Sequence, residues 1–149
     1  MTDKTDKSKV LRTSIGLMND KLHFKGLTDG RDPISIDYIP PLGDDLGYTS
    51  LELFLLSLSS CVGSAMLIFL RRMNRTVSAF DISAVGVRKE VHPTGFKDIT
   101  LELNIVSGDV TEADLNKVTG MMDSYCPVSS MLKDDVKISY RFNIVKQQV

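Results

Sequence analysis

Apolar and polar positions along the chain follow two different periods. From Leu51 to Leu70 the only charged residue is Glu52, and a run of that length and hydrophobicity reads as a helix buried on most of its faces. Its ends agree with that reading. Thr49 or Ser50 suits the N-cap and Glu52 lies in the first turn, while Arg71, Arg72 and Arg75 place cations at the end and Asn74 is available to stop it. A membrane span would need the same length. Four serines (Ser57, Ser59, Ser60, Ser64) and Gly63 dilute the run, and its flanks read as amphipathic strands, so a soluble core helix over residues 49–74 is the better reading.

On both sides the period shortens to two. Residues 9–18 alternate imperfectly, Asn19-Asp20 follows, and Leu22, Phe24 and Leu27 take the apolar positions of a second strand, which predicts a hairpin. A turn over residues 29–33 leads to a third strand with Ile34, Ile36 and Tyr38 on one face. Pro40-Pro41 and the following Gly- and Asp-rich stretch form a loop that delivers the chain to the helix. Beyond the helix, residues 79–91 and 97–107 alternate as a long antiparallel hairpin around the turn His92-Pro93-Thr94-Gly95. Thr111 caps a helix with Leu115, Val118 and Tyr125 at helical spacing. Cys126-Pro127 breaks it, a helical turn follows, and Val136, Ile138, Tyr140 and Phe142 share one face of a last strand. The order β-β-β-α-β-β-α-α-β predicts an α+β fold, antiparallel sheets around a long buried central helix. It is one domain over residues 9–149, with an N-terminal sheet at 9–48 and a C-terminal α+β portion at 79–149, preceded by a mobile arm at 1–8.

Composition narrows the function classes. Eighteen basic and nineteen acidic residues leave a net charge of −1, which offers no electrostatic footprint for nucleic acid or an anionic membrane. The start, MTDKTDKSK, has no apolar segment behind it, so a cytoplasmic location is expected. No cofactor motif is present, and two His and two Cys are a sparse inventory for a structural zinc site built from those residues alone. His23 lies in a strand and His92 in a turn, and neither is placed to pair with a cysteine. The methionines read as core and interface filling.

The chemistry is left to the two cysteines. Cys61 sits mid-helix with Ser57, Ser60 and Ser64 around it, and a lone Cys there would be a small buried hydrophobe. Cys126 precedes Pro127, which suits the first position of the next helical turn and makes Cys126 its N-cap. Such a position lowers a thiol pKa, but the preceding helix points its carbonyls at the same region, so the net sign stays open.

Taken together, SLELFLLSLSSC and YCPVSSML resemble the two cysteine motifs of the OsmC/Ohr family, and the element order agrees with that family's fold over nearly the whole chain. The resemblance implies an intertwined homodimer whose long helices form the core and whose active sites use both subunits. It implies that Cys61 is the peroxidatic thiol, attacking a small organic hydroperoxide, and that Cys126 resolves it as a disulfide. An external dithiol then reduces the bond, dihydrolipoyl in the hydroperoxide-resistance branch, and no bound cofactor is needed. Those peroxidases carry Asn-Pro-Glu, with the Glu ten residues before the helix cysteine and paired with an Arg. Leu51 stands at that position here. Glu52 is nearest, nine residues from Cys61 and roughly half a turn out of phase on a straight helix, and Arg12 and Arg31 are the candidate arginines. Thr-Ser-Leu-Glu resembles a less characterised OsmC-like branch. Two other functions remain open: an OsmC-fold protein that binds a small apolar ligand between subunits, and a slow thiol redox sensor.

Overall fold

The computed structural model describes residues 6–147. Two compact units divide the chain, Met1–Leu53 and Phe54–Val149. Residues 1–5 of the expected N-terminal arm lie outside the described residues, and Asp6 to Lys9 form a turn held by the Asp6 side chain and carbonyl.

The first unit is an antiparallel three-stranded meander of β1 (Thr13–Leu17), β2 (Phe24–Thr28) and β3 (Ile34–Ile36). Asn19 shapes the first turn by accepting from the Lys21 and His23 amides. β3 is shorter than its alternation suggests because Asp37 ends it. The Asp37 carboxylate, almost fully buried, turns back and accepts from the amides of Tyr38 (2.7 Å), Asp44 and Leu46 (both 3.1 Å). The loop containing Pro40-Pro41 is therefore tied to one side chain. Gly43 is required in it, because a Cβ there would collide with the Tyr38 carbonyl and the Asp37 carboxylate.

Helix α1 (Ser50–Arg72) follows, and its start is a reciprocal capping box. The Glu52 amide donates to Thr49 Oγ1 at 3.2 Å, while the Thr49 amide and hydroxyl donate to Glu52 Oε2 at 2.7 and 3.0 Å. Its end is a left-handed Asn74 (φ 58°), with the Arg75 amide on the Leu70 carbonyl and the Asn74 amide on Arg71, the Schellman arrangement with Asn in place of Gly. Leu58, Val62, Met66 and Leu70, four residues apart, are fully buried. An 18-residue window of α1 reaches a mean hydropathy of 2.2, yet only 33% of it is buried within the chain.

In the second unit β4 (Ala79–Arg88), β5 (Phe96–Ser107) and β6 (Lys137–Lys146) form a sheet with β5 in the middle. Ile99, Leu101, Leu103 and Ile105 alternate inward on β5 and are fully buried. Gly63 of α1 lies against Phe80 and Ile82 of β4. The β4–β5 pair is the expected antiparallel hairpin, but β5 and β6 run parallel from Asp98 opposite Lys137 to Ser107 opposite Lys146. This sheet is mixed, not wholly antiparallel, because residues 108–136 form a helical crossover that returns the chain to the start of β5.

That crossover contains α2 (Glu112–Thr119), α3 (Met122–Tyr125) and α4 (Pro127–Ser130). A Thr111–Asp114 capping box starts α2, and Arg75 holds the same Asp114 through Nε–Oδ2 at 2.9 Å and Nη2–Oδ1 at 3.2 Å. The single helix expected over residues 112–125 is two, with the break at Gly120-Met121.

Candidate functional site

Both cysteines belong to the second unit, and the structure brings their side chains together. Cys61 is half-buried in the middle of α1, and Cys126, 1% exposed, sits between α3 and α4. The Cys61 thiol lies near enough to the Cys126 sulfur to raise its pKa, and both are free thiols.

Local sequence explains the position of Cys126. Its amide closes α3 on the Met122 carbonyl at 2.8 Å, and its extended φ/ψ of −96° and 106° makes it at once the C-cap of α3 and the N-cap of α4. Pro127 occupies the first turn of α4, where its missing N–H costs nothing. The Ser129 amide donates to Cys126 Sγ at 3.4 Å. The electrostatic question left by the sequence has an answer here. Burial is the largest effect and pushes the Cys126 thiol up, the neighbouring Cys61 thiol adds to it, and the Ser129 and Val128 amides oppose both without reversing them; the result is about 11. Cys126 is therefore a protonated thiol at neutral pH.

Three residues that the sequence did not single out complete the surroundings. Ser129, itself buried, donates its hydroxyl to Asp123 Oδ1 at 3.0 Å, so α3 and α4 are bridged across the Cys126-Pro127 break. Tyr140 of β6 lies near both Asp123 and Cys126; burial first, then these negative charges, hold its phenol up at about 12. Asp123, Ser129 and Tyr140 share a cleft of about 400 Å3 with Lys133 and Asp134. Only Ser129 had a signal in the sequence, as the third residue after an N-cap, where an amide returns to the capping side chain.

The remaining candidates are placed elsewhere or otherwise engaged. Ser57, Ser60 and Ser64 are exposed on α1. Glu52 Oε2 is engaged in capping by the Thr49 amide and hydroxyl, which in that order hold the Glu52 carboxyl below its usual range. Arg12 and Arg31 border a cleft of about 450 Å3 in the first unit. His23 Nε2 is 2.7 Å from Ser35 Oγ. Among the described residues no group of three or more His, Cys, Asp or Glu is arranged to hold a metal ion.

The sequence profile of the OsmC-like protein family matches residues 43–141, which include both cysteines. Among curated proteins no relative matches the sequence. Solved structures match over most of the chain. A hypothetical protein from Aquifex aeolicus VF5 superposes with a TM-score of 0.79 at 23% identity, covering 94% of this chain and 99% of that one. An OsmC-like protein from Mycoplasma pneumoniae gives 0.78 at 19% identity, with coverages of 92% and 98%. An organic hydroperoxide resistance protein from Elizabethkingia anophelis gives 0.72 at 16% identity, with coverages of 91% and 96%. At these identities the likeness is one of fold.

Proposed function

Because the chain belongs to the OsmC-like protein family, we propose that it is a thiol-dependent peroxidase that reduces small organic hydroperoxides in defence against oxidative stress. The observation that carries this reading is that the Cys61 and Cys126 thiols are close enough for one to shift the pKa of the other. Two free thiols so placed, one half-buried and one buried, are what a peroxidatic and a resolving cysteine require.

Cys61, the more accessible thiol, is the attacking group. Its thiolate takes the terminal oxygen of the hydroperoxide, the O–O bond breaks, the alcohol leaves with a proton, and Cys61 becomes a sulfenic acid. The Cys126 sulfur then attacks the Cys61 sulfur. The S–S bond forms, the S–O bond breaks, and the Cys126 proton leaves with the hydroxyl group as water. Two electrons from an external dithiol restore both thiols; a dihydrolipoyl group is the candidate donor. The protein works as a homodimer in the cytoplasm, with α1 supplying apolar surface to the partner.

A second reading, a slow redox sensor, is favoured by Glu52. Thr49 holds its Oε2 in the helix cap, which favours weak activation of Cys61. Titration of free thiols before and after a stoichiometric pulse of tert-butyl hydroperoxide, with hydrogen peroxide as comparison, separates the two. Rapid loss of both thiols, faster with the organic peroxide and reversed by a dithiol, is the peroxidase result. Slow loss with no preference is the sensor result, and survival of both thiols overturns the catalytic reading.

A further inference from the structure

The resolving sulfur sits at a break between two short helices, and a single side-chain bridge crosses that break. α3 and α4 are four residues each and are joined only through Cys126, so the direction of the Cys126 side chain depends on how they are held. The Ser129 hydroxyl reaches back across the junction to Asp123 Oδ1 at 3.0 Å, and the amide of the same Ser129 donates to Cys126 Sγ at 3.4 Å. One buried residue thus faces both the sulfur and the carboxylate. We propose that Asp123 is a positioning residue for the resolving step, acting through Ser129 to hold the Cys126 sulfur in line with the Cys61 sulfur.

The inference rests on the proposed peroxidase reading for its physiological meaning, but its physical content is the geometry of disulfide formation. In that step Cys61–SOH and Cys126–SH give the disulfide and water. The incoming sulfur must approach opposite the departing oxygen, and a displacement of about an ångström from such a geometry costs on the order of a hundredfold in rate. Ser129 serves the step twice. Its amide points at the sulfur on which negative charge develops as the proton leaves, and its hydroxyl bond to Asp123 keeps that amide in place. Cys126 is pushed up to about 11, so little thiolate exists beforehand and the placement of this donor carries more of the step. The bridge needs an acceptor at position 123, not a charge, and asparagine supplies one.

The test uses the full-length protein and follows two steps separately: sulfenic acid formation at Cys61, trapped with dimedone after tert-butyl hydroperoxide, and closure of the disulfide. Asp123→Ala and Ser129→Ala should leave the first step unchanged and slow the second roughly tenfold, the factor expected for a lost hydrogen bond to a charged group. Asp123→Asn should restore the rate. The double variant should be no slower than either single variant, because both break one bridge. Normal closure in Asp123→Ala, no rescue by asparagine, or multiplying effects in the double variant would overturn the proposal. Should the hydroperoxide leave Cys61 unoxidised in the unmodified protein, the peroxidase reading falls by itself. Closure driven by oxidised dithiothreitol then reads the bridge independently: the same order of rates supports it, and equal rates overturn it.

Discussion

The Cys61 thiol lies beside the buried sulfur of Cys126 and helps to raise its pKa, although the two are 65 positions apart in the sequence. A pair in that relation makes an asymmetric prediction. Cys61→Ser should abolish consumption of organic hydroperoxide and leave Cys126 reduced. Cys126→Ser should still form a sulfenic acid at Cys61, which then over-oxidises to the sulfinic acid for want of a partner. Mass spectrometry after a peroxide pulse distinguishes them by the oxygen atoms added, and the reverse pattern would exchange the two roles.

The raised Cys126 pKa sets a pH dependence. The group that closes the disulfide is the thiolate, and below about 11 its fraction rises about tenfold per pH unit. Closure from the sulfenic acid should therefore accelerate with pH across the neutral and mildly alkaline range; rapid quenching and alkylation at a series of pH values measure it. A flat profile would mean that proton loss does not precede attack. The sign for stability is opposite. Cys126 is raised in the folded state, so its contribution is complete below the unfolded thiol pKa and is lost as pH rises toward about 11. Alkaline melting temperatures should fall less in Cys126→Ser.

Glu52 carries two competing roles. Thr49-Ser50-Leu51-Glu52 is a capping box in plain sequence, yet beside a cysteine motif the carboxylate invites a catalytic reading. The structure gives it a local partner. Glu52→Ala should lower stability by about 1 kcal/mol, the usual value of a cap, with little change in the rate at Cys61. Its carboxyl is held low by Thr49, so the cap is intact above the unfolded pKa and is lost as pH falls through the lower folded value. Thermal melts at pH 7 and below pH 4 compare the two conditions, and a large loss of peroxidase rate in Glu52→Ala would restore the catalytic role.

Much of the fold was legible because its signals are local. The apolar run of α1 and the alternation over residues 97–107 both supply core, through Leu58, Val62, Met66 and Leu70 and through Ile99, Leu101, Leu103 and Ile105, and Asn74 stops α1 as its αL tolerance suggests. Strand direction was not legible. The alternation of Ile138, Tyr140 and Phe142 is the same whether β6 runs parallel or antiparallel to β5. The Arg75–Asp114 pair and the Asp123–Ser129 bridge were equally hidden, since one depends on tertiary docking and the other on how a helix break folds back. Nothing local in the sequence marks Asp37 for the three amides that converge on it.

Asp37 accordingly carries an acid-sensitivity prediction. Desolvation pushes its carboxyl up, but the amides of Leu46, Asp44 and Tyr38 together, with His23 nearby, bring it below the ordinary carboxylate range. Its contribution is present above the unfolded value and is lost as pH falls through the depressed one. Amide exchange at Asp44 and Leu46 should stay slow until that lower pH and then accelerate, and in Asp37→Ala it should be fast at neutral pH. Hydrogen exchange at these two amides is the measurement; unchanged protection in the alanine variant would remove the carboxylate from its role in the loop.

The last prediction concerns the face of α1 that the chain leaves open. Leu56 is 54% and Ile68 46% exposed, in a helix apolar enough to be buried all round. Together with the exposed Ser57, Ser60 and Ser64 between them, these side chains form an open side of the helix suited to close packing against another helix, and the proposed occupant is a second copy of the chain. A lysine at position 68 would have to enter such an interface without a partner charge, a cost of several kcal/mol, while in a free monomer the same side chain would remain in water. Ile68→Lys should therefore leave the fold intact and shift the protein from dimer to monomer in sedimentation equilibrium. If the unmodified protein is already a monomer at micromolar concentration, the homodimer is wrong, and with it the expectation that a partner subunit helps to build the site around Cys61.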